Sequence, residues 1–318
     1  MDQKVMTKQT TSSVLMVRPV LFGYNPQTAA SNAFQHAPAT QEAAQIQAKA
    51  LAEFDGMVAT LRQAGIQVVV VEDGLEPHTP DSIFPNNWVT FHQDGQVVLY
   101  PMYAPNRRLE RKQAVLDQIA AQFEISTTLD LSTYEKQGQF VEGTGSMILD
   151  RTNRLIYACL SPRTDKRLLE VIAQQLGGYQ VVSFQALDQQ RKPIYHTNVM
   201  MCLADEFAVI CLDCLPEPKE REMVCKSLQK TGKTIVEITF DQVLRFAGNM
   251  LALESTDGQK WVILSKQAYE ALTSDQINQI SRFAKLLPCA IDIIEHYGGG
   301  SARCMMAEIF LPTKAIIP

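Results

Sequence analysis

Gly300-Ser-Ala-Arg-Cys-Met-Met-Ala307 is the last of five short segments whose shared design decides how this chain folds. The other four are Phe84-Pro-Asn-Asn-Trp-Val-Thr-Phe91, Val141-Glu-Gly-Thr-Gly-Ser-Met-Ile-Leu149, Tyr195-His-Thr-Asn-Val-Met-Met-Cys202 and Phe246-Ala-Gly-Asn-Met-Leu-Ala-Leu253. Each sets small or polar residues ahead of a short apolar strand pattern. With Asn87, Gly145, Asn198, Asn249 and Arg303 taken as equivalent, successive positions lie 58, 53, 51 and 54 residues apart. A near-constant period of that size marks a repeated supersecondary unit.

The contents of each period agree. Arg154 to Leu160 reads as a strand, Asp165 to Leu176 as an amphipathic helix and Tyr179 to Phe184 as a second strand. The same order recurs in Phe207 to Leu212, Pro218 to Thr231 and Thr234 to Ile238, and in Val97 to Tyr100, a helix from Asn106 to Phe123, and Thr127 to Leu131. A fourth period holds Lys260 to Leu264, a helix over Asp275 to Leu287 and a strand over Ala290 to Ile294. The segment around Cys304 is completed only by the N-terminal part, with strands at Val14 to Val17 and Ile66 to Val71 and a long helix from Gln41 to Ala64. First and last units then close a ring. The expected fold is α/β, a five-fold pseudosymmetric propeller of ββαβ-type units whose equivalent polar residues point into a central channel. The competing reading is one ordinary mixed sheet with regular spacing by chance.

A chain of 318 residues without a Pro/Gly/Ser linker or charge run is read as one catalytic domain over 14–318, preceded by a disordered tail over 1–13. That tail has no apolar core of the signal-peptide kind, and the other apolar runs are too short to span a bilayer, so no membrane partner is expected. Seven scattered cysteines suit reduced thiols and a cytoplasmic setting. Cys211-Leu-Asp-Cys214 has the spacing of half a zinc site, but no second pair or histidine follows at metal-ligand distance. Net charge is −5 with both signs mixed, and Arg107-Arg108 and Arg111-Lys112 read as the solvated face of a helix, which argues against nucleic acid. The expected partner is a small molecule; a homodimer stays open.

Cys304 follows a glycine run, where a thiol gains the exposure that a nucleophile needs. His196 stands at a polar position of another repeat and is the natural proton carrier for it. Glu142 occupies the matching strand start of a third repeat and can anchor that histidine or bind a substrate nitrogen. Asp81, Asn86 and Asn87 lie at the corresponding place in a fourth.

These residues carry a resemblance to a known group. Over residues 14–318 the chain resembles the arginine deiminase and amidinotransferase superfamily, the pentein fold, most specifically in Gly-Gly-Gly-Ser-Ala-Arg-Cys-Met-Met, with Phe-Val-Glu-Gly, His-x-Asn and Gly248-Asn249 in support. Phe22-Gly-Tyr-Asn-Pro and Ile83-Phe-Pro-Asn-Asn-Trp88 bring it nearest to bacterial citrulline-utilisation hydrolases and amidinotransferase-like proteins. The resemblance implies that Cys304 attacks a guanidino-type carbon, that His196 moves protons, that Glu142 assists, and that neither metal nor organic cofactor takes part.

Departures from the superfamily pattern refine the expectation. Arginine deiminases carry Arg-Asp where this chain has Asn86-Asn87, and His-x-Asp where it has His196-Thr-Asn198. Carboxylates clamp a guanidinium by charge-assisted bonds, whereas an asparagine offers one acceptor and two donors to a neutral group. The favoured reading is hydrolysis of the ureido bond of citrulline to ornithine, carbon dioxide and ammonia. The alternatives are an arginine deiminase or dimethylarginine hydrolase, an amidinotransferase and, more distantly, a non-catalytic binding protein. An amino-acid carboxylate would need a cation, for which Arg18, Arg245 and Arg303 are the candidates by repeat position.

Overall fold

The computed structural model describes residues 7–29, 32, 34–37 and 43–314. Among them fifteen strands form five three-stranded sheets of one topology. In the sheet of Ile148–Asp150, Leu155–Leu160 and Gln180–Gln185, the first strand pairs antiparallel with the second, and the third returns parallel to it. Val89–Phe91, Gln96–Leu99 and Thr127–Asp130 repeat the pattern, as do Met201–Leu203, Phe207–Ile210 and Thr234–Glu237. Leu251–Glu254, Lys260–Ser265 and Lys285–Cys289 form the fourth sheet. The fifth joins Ala307–Glu308 to Ser13–Arg18 and Gln67–Glu72, so the two ends of the chain complete one unit. This is the five-bladed pentein architecture expected from the period.

Its logic is local. An antiparallel pair needs only a short turn, whereas a parallel pair needs a crossover, and a helix supplies it in each unit. Lys166–Gln175 turns Leu168, Leu169, Ile172 and Ala173 inward, and the Asp165 side chain caps its first turn by accepting from Leu168 N at 2.9 Å. Pro218 opens Pro218–Lys230 at the position where a missing N–H costs nothing. Middle strands such as Phe207–Ile210 are buried throughout, which fits their unbroken apolar sequence.

Three expectations are corrected. The helix expected from Asn106 to Phe123 is two pieces, a 3₁₀ segment Pro105–Glu110 and a helix Gln113–Gln122. The first piece draws inward, which removes Arg107 from the solvated face to which the sequence assigned it. The strand expected at Ala290 to Ile294 lies instead at Lys285–Cys289, in register with Trp261–Ser265, and the preceding helix ends at Ser281. Asp292–Gly298 is helical because Ile291 and Ile294 pack in the core that holds Ala50, Phe54 and Met57, while the Glu53 carboxylate accepts from Ile293 N and Ile294 N. The tail is also shorter on its described side than 1–13. Gln9 is buried and bonds Leu149 O and Arg151 N, and Ser12 O accepts from Gln67 N. Residues 1–6 lie outside the described residues.

The inner ends of the first strands are led by tight turns, Pro85–Asn87, Gly143–Ser146 and Thr197–Val199, all buried. They pack on one another at backbone distance. Gly143 has φ +46°, and a Cβ there would sit 2.4 Å from Asn86 O. Only glycine serves both the conformation and the approach.

Candidate active site

Where the turns converge, Cys304 meets two asparagines of the repeat. Asn198 Nδ2 and Asn249 Nδ2 each lie 3.3 Å from Cys304 Sγ. Asn249 is fixed by its neighbours, since Arg303 N donates to its Oδ1 at 3.0 Å and its Nδ2 also donates to Asn198 O at 2.9 Å. A backbone N–H accepts nothing, so the amide's nitrogen must face the sulfur. Both amide nitrogens thus point at the one sulfur.

His196 lines the same cavity as Cys304. Its Nε2 lies 2.7 Å from Glu142 Oε2, and Glu142 Oε1 accepts from Tyr103 N at 2.9 Å. Burial alone would raise the Glu142 carboxyl, but Arg163, with Nη1 3.5 Å from Oε2, and the His196 bond hold it well below the usual carboxylate range. Burial pulls His196 down to about 4 against the attraction of Glu142. An ionised Glu142 only accepts, so Nε2 carries the imidazole proton and Nδ1 keeps a lone pair. Nδ1 faces Gly145, where a Cβ would lie 2.8 Å from it and 2.4 Å from Asn87 Nδ2. The second glycine of Glu142-Gly-Thr-Gly145 thus gives room to histidine and asparagine at once.

The remaining wall is charged. Thr28, Asn32, Asp81, Asn87, Arg107 and Arg163 face the cavity together with Phe84, Tyr195 and the Gly298–Gly300 loop. Arg107 is 3% exposed and pairs with Glu110 through Nε and Nη2 at 2.8 and 3.0 Å, with Asp81 Oδ2 3.7 Å from Nε. Its Nη1 donates to Asn87 Oδ1 at 2.8 Å. Asp81 is raised by burial, partly opposed by Arg107, and its Oδ2 accepts from Asn25 Nδ2 at 2.7 Å. Arg163 stacks over the Tyr195 ring, 4.9 Å from its centroid, and donates to Thr28 O at 3.3 Å.

The structure therefore brings together Cys304, His196, Glu142, Asp81, Asn87 and Asn198. Asn86 is buried beside them, but its carbonyl accepts from Thr144 Oγ1 and its side chain does not line the cavity. The arginines expected to hold a carboxylate are elsewhere. Arg18 is bound to Asp55 and Glu72 on the outside, and Arg245 is 46% exposed near Glu270. Arg303 turns away to Met306 O and Glu308. Repeat position chose them wrongly because it fixes a backbone place and not a side-chain direction.

The cavity's own cations, Arg107 and Arg163, went unread, as did the part of Asn249 beside the sulfur. A signal existed. Both arginines lie in the connection leaving a middle strand, Gln96–Leu99 and Leu155–Leu160, the same place in two adjacent units. All seven cysteines are free, and no cluster of three metal-ligating side chains occurs among the described residues. No described helix is long and apolar enough to cross a membrane.

The fold has solved counterparts. ArgZ, described as an arginine dihydrolase from the ornithine-ammonia cycle in cyanobacteria, superposes with a TM-score of 0.70 at 19% identity over 96% of this chain. The chain spans 41% of that protein's length. Against an ArgZ N-terminal domain covalently bound to a reaction intermediate the TM-score is 0.69 at 18% identity, covering 94% of this chain and 98% of the domain. A dimethylarginine dimethylaminohydrolase adduct with S-methyl-L-thiocitrulline gives 0.62 at 13% identity over 96% of this chain and all of the other. Comparison with curated protein sequences gave no match. The family model described as N,N dimethylarginine dimethylhydrolase, eukaryotic, matches residues 18–311, nearly the whole chain. This chain belongs to the N,N dimethylarginine dimethylhydrolase family within the pentein superfamily, hydrolases that act on C–N bonds of arginine derivatives.

Proposed function

We propose that the protein hydrolyses the ureido C–N bond of citrulline, giving ornithine, carbon dioxide and ammonia. One observation carries this choice of substrate. Two amides around the reacting centre keep opposite atoms without a hydrogen-bond partner among the described residues, the donor Nδ2 of Asn87, which lines the cavity, and the acceptor Oδ1 of Asn198, whose Nδ2 lies 3.3 Å from Cys304 Sγ. A ureido group offers the complementary pair, an oxygen for the donor and an N–H for the acceptor. A guanidinium offers donors only.

The chemistry follows from the named atoms. Neutral His196 accepts the Cys304 thiol proton at Nδ1, and the thiolate adds to the ureido carbon. The imidazolium then protonates the departing Nδ of ornithine as the C–N bond breaks, leaving a carbamoyl group on sulfur. Water, deprotonated by the same histidine, displaces Cys304, and the carbamate so formed breaks down to carbon dioxide and ammonia. Glu142 steadies the transient imidazolium. The Arg107 and Arg163 guanidiniums suit the substrate's α-carboxylate, and Asp81 its α-ammonium. Seven free cysteines fit a reducing compartment such as the cytoplasm.

A second reading has its own support. The family description names dimethylarginine, and ArgZ is described as acting on arginine. Product analysis separates the two. Purified protein is given citrulline, arginine and dimethylarginine in parallel, with Cys304→Ala as the blank. Ornithine with ammonia from citrulline supports the ureido reading. Citrulline accumulating from arginine or dimethylarginine, with no ornithine, overturns it in favour of guanidino hydrolysis.

A further inference from the structure

An asparagine selects its ligand by which end of the amide it shows, and here that end is set from behind. We propose that Glu110 is a positioning residue that fixes the face Asn87 turns to the substrate, acting through Arg107. The inference rests on the ureido reading of the site and deepens it.

The Arg107 guanidinium carries five N–H bonds on three nitrogens. Glu110 takes two of them, Oε1 accepting from Nε at 2.8 Å and Oε2 from Nη2 at 3.0 Å, which fixes the plane of the guanidinium. The third nitrogen, Nη1, then points at Asn87 and donates one of its two N–H bonds to Oδ1 at 2.8 Å. A guanidinium has no acceptor, so the atom of Asn87 at that distance must be the oxygen. The amide is thereby held with Nδ2 toward the cavity, in the space left by the missing side chain of Gly145. Glu110 itself is buried and does not line the cavity, so it bears on the ligand only through this relay.

Without the fork, the guanidinium is free to swing toward Asp81, whose Oδ2 is already 3.7 Å from Nε. Asn87 Oδ1 then loses its donor, and the amide can turn to present oxygen. That face suits the N–H groups of a guanidinium and repels the oxygen of a ureido group. Glu110 is thus a determinant of ureido over guanidino preference without touching either.

The test measures binding in Cys304→Ala protein, so that turnover does not interfere. Dissociation constants for citrulline and arginine are taken by calorimetry with and without Glu110→Gln. The ratio favouring citrulline should fall roughly tenfold, the scale of one directed hydrogen bond turned to a mismatch. In an Asn87→Asp background the same Glu110→Gln change should leave the ratio alone, because a carboxylate shows oxygen from either face. Equal weakening of both ligands in the Asn87 protein, with the ratio unchanged, would reduce Glu110 to a structural residue and overturn the proposal. If Glu110→Gln does not fold, Glu110→Asp keeps the buried charge while shortening the reach, and the ratio should fall in the same direction. Failure of the ureido reading registers separately, as wild-type enzyme that releases no ornithine from citrulline whatever the binding ratio does.

Discussion

Arg107 and Arg18 make nearly the same pair of bonds. Each gives Nε and Nη2 to one carboxylate, Arg107 to Glu110 at 2.8 and 3.0 Å and Arg18 to Asp55 at 2.8 Å twice, and each has a second carboxylate nearby. They differ in what surrounds them. Arg107 is 3% exposed and its last edge meets a substrate-facing amide, whereas 28% of the Arg18 side chain is exposed and its last edge meets Glu72, itself largely in water. In water such a fork competes with solvent and holds little in place. In the interior it decides the orientation of the next group, because no water can replace a lost partner. The inner ring of turns converts repeated backbone into chemistry for that reason, and the outer layer does not.

The contrast should break most sharply at the sulfur. Cys304→Ser should lower turnover by at least roughly 10⁴-fold with an unchanged circular dichroism spectrum, since the other inner groups cannot replace the nucleophile. Normal activity in that variant would remove the inner ring's claim to the chemistry. Gly145→Ala comes next. Its backbone can accept alanine, but the added carbon would stand 2.4 Å from Asn87 Nδ2 and 2.8 Å from His196 Nδ1. Displacing both by a few tenths of an ångström or more should cost about 100-fold in kcat/KM. A variant with full activity would mean that the two side chains are not held where the structure puts them.

Breaking the inner fork should also cost stability. Arg107→Lys keeps the charge but cannot serve Glu110 and Asn87 together, and urea denaturation should show a loss of about 3 kcal/mol, as for other disrupted buried pairs. The proton on His196 gives a further measure. Its native value of about 4 lies below its unfolded value, so between the two the unfolded chain binds more protons and stability is lost as pH falls through that window. Glu110 and Glu295, both raised to about 7 by burial, act with the opposite sign, so the comparison must be made against a variant. Relative to wild type, His196→Gln should gain on the order of 2 kcal/mol as pH drops from about 6.5 to about 4. An unchanged difference would mean that His196 titrates as it would in water.

Much of this was legible in the sequence, and the boundary is physical. The period of the five segments depends on backbone turns that must recur if the sheets are to recur, so the blades and the places of Cys304, His196 and Glu142 could be read from it. Helices were less legible. Pro105 and the inward pull of Arg107 split one, and the apolar run Ala290-Ile-Asp-Ile-Ile294 suits strand and helix equally until the neighbouring Glu53 caps it. Arg107 and Arg163 gave one signal, their shared place in two adjacent units, but not their direction, because Asn87 and Glu142, which they meet, stand before the first strand of the same unit and reach them only when that unit folds.

The smallest expected effect tests the outer side of the comparison. Arg18→Gln removes the bonds to Asp55 and Glu72, and Arg245→Gln removes a pair 3.8 Å from Glu270 whose two members are about half exposed. Both variants should keep KM for the amino-acid substrate within about twofold and stability within about 0.5 kcal/mol, the range for surface pairs. Arg163→Gln should behave otherwise, raising KM by tenfold or thereabouts, roughly the loss of one charged hydrogen bond. If Arg18→Gln raised KM as much as Arg163→Gln, the outer arginine would reach substrate after all. Burial would then be the wrong criterion for telling a binding arginine from a surface one, and the repeat position that first singled out Arg18 would be the right one.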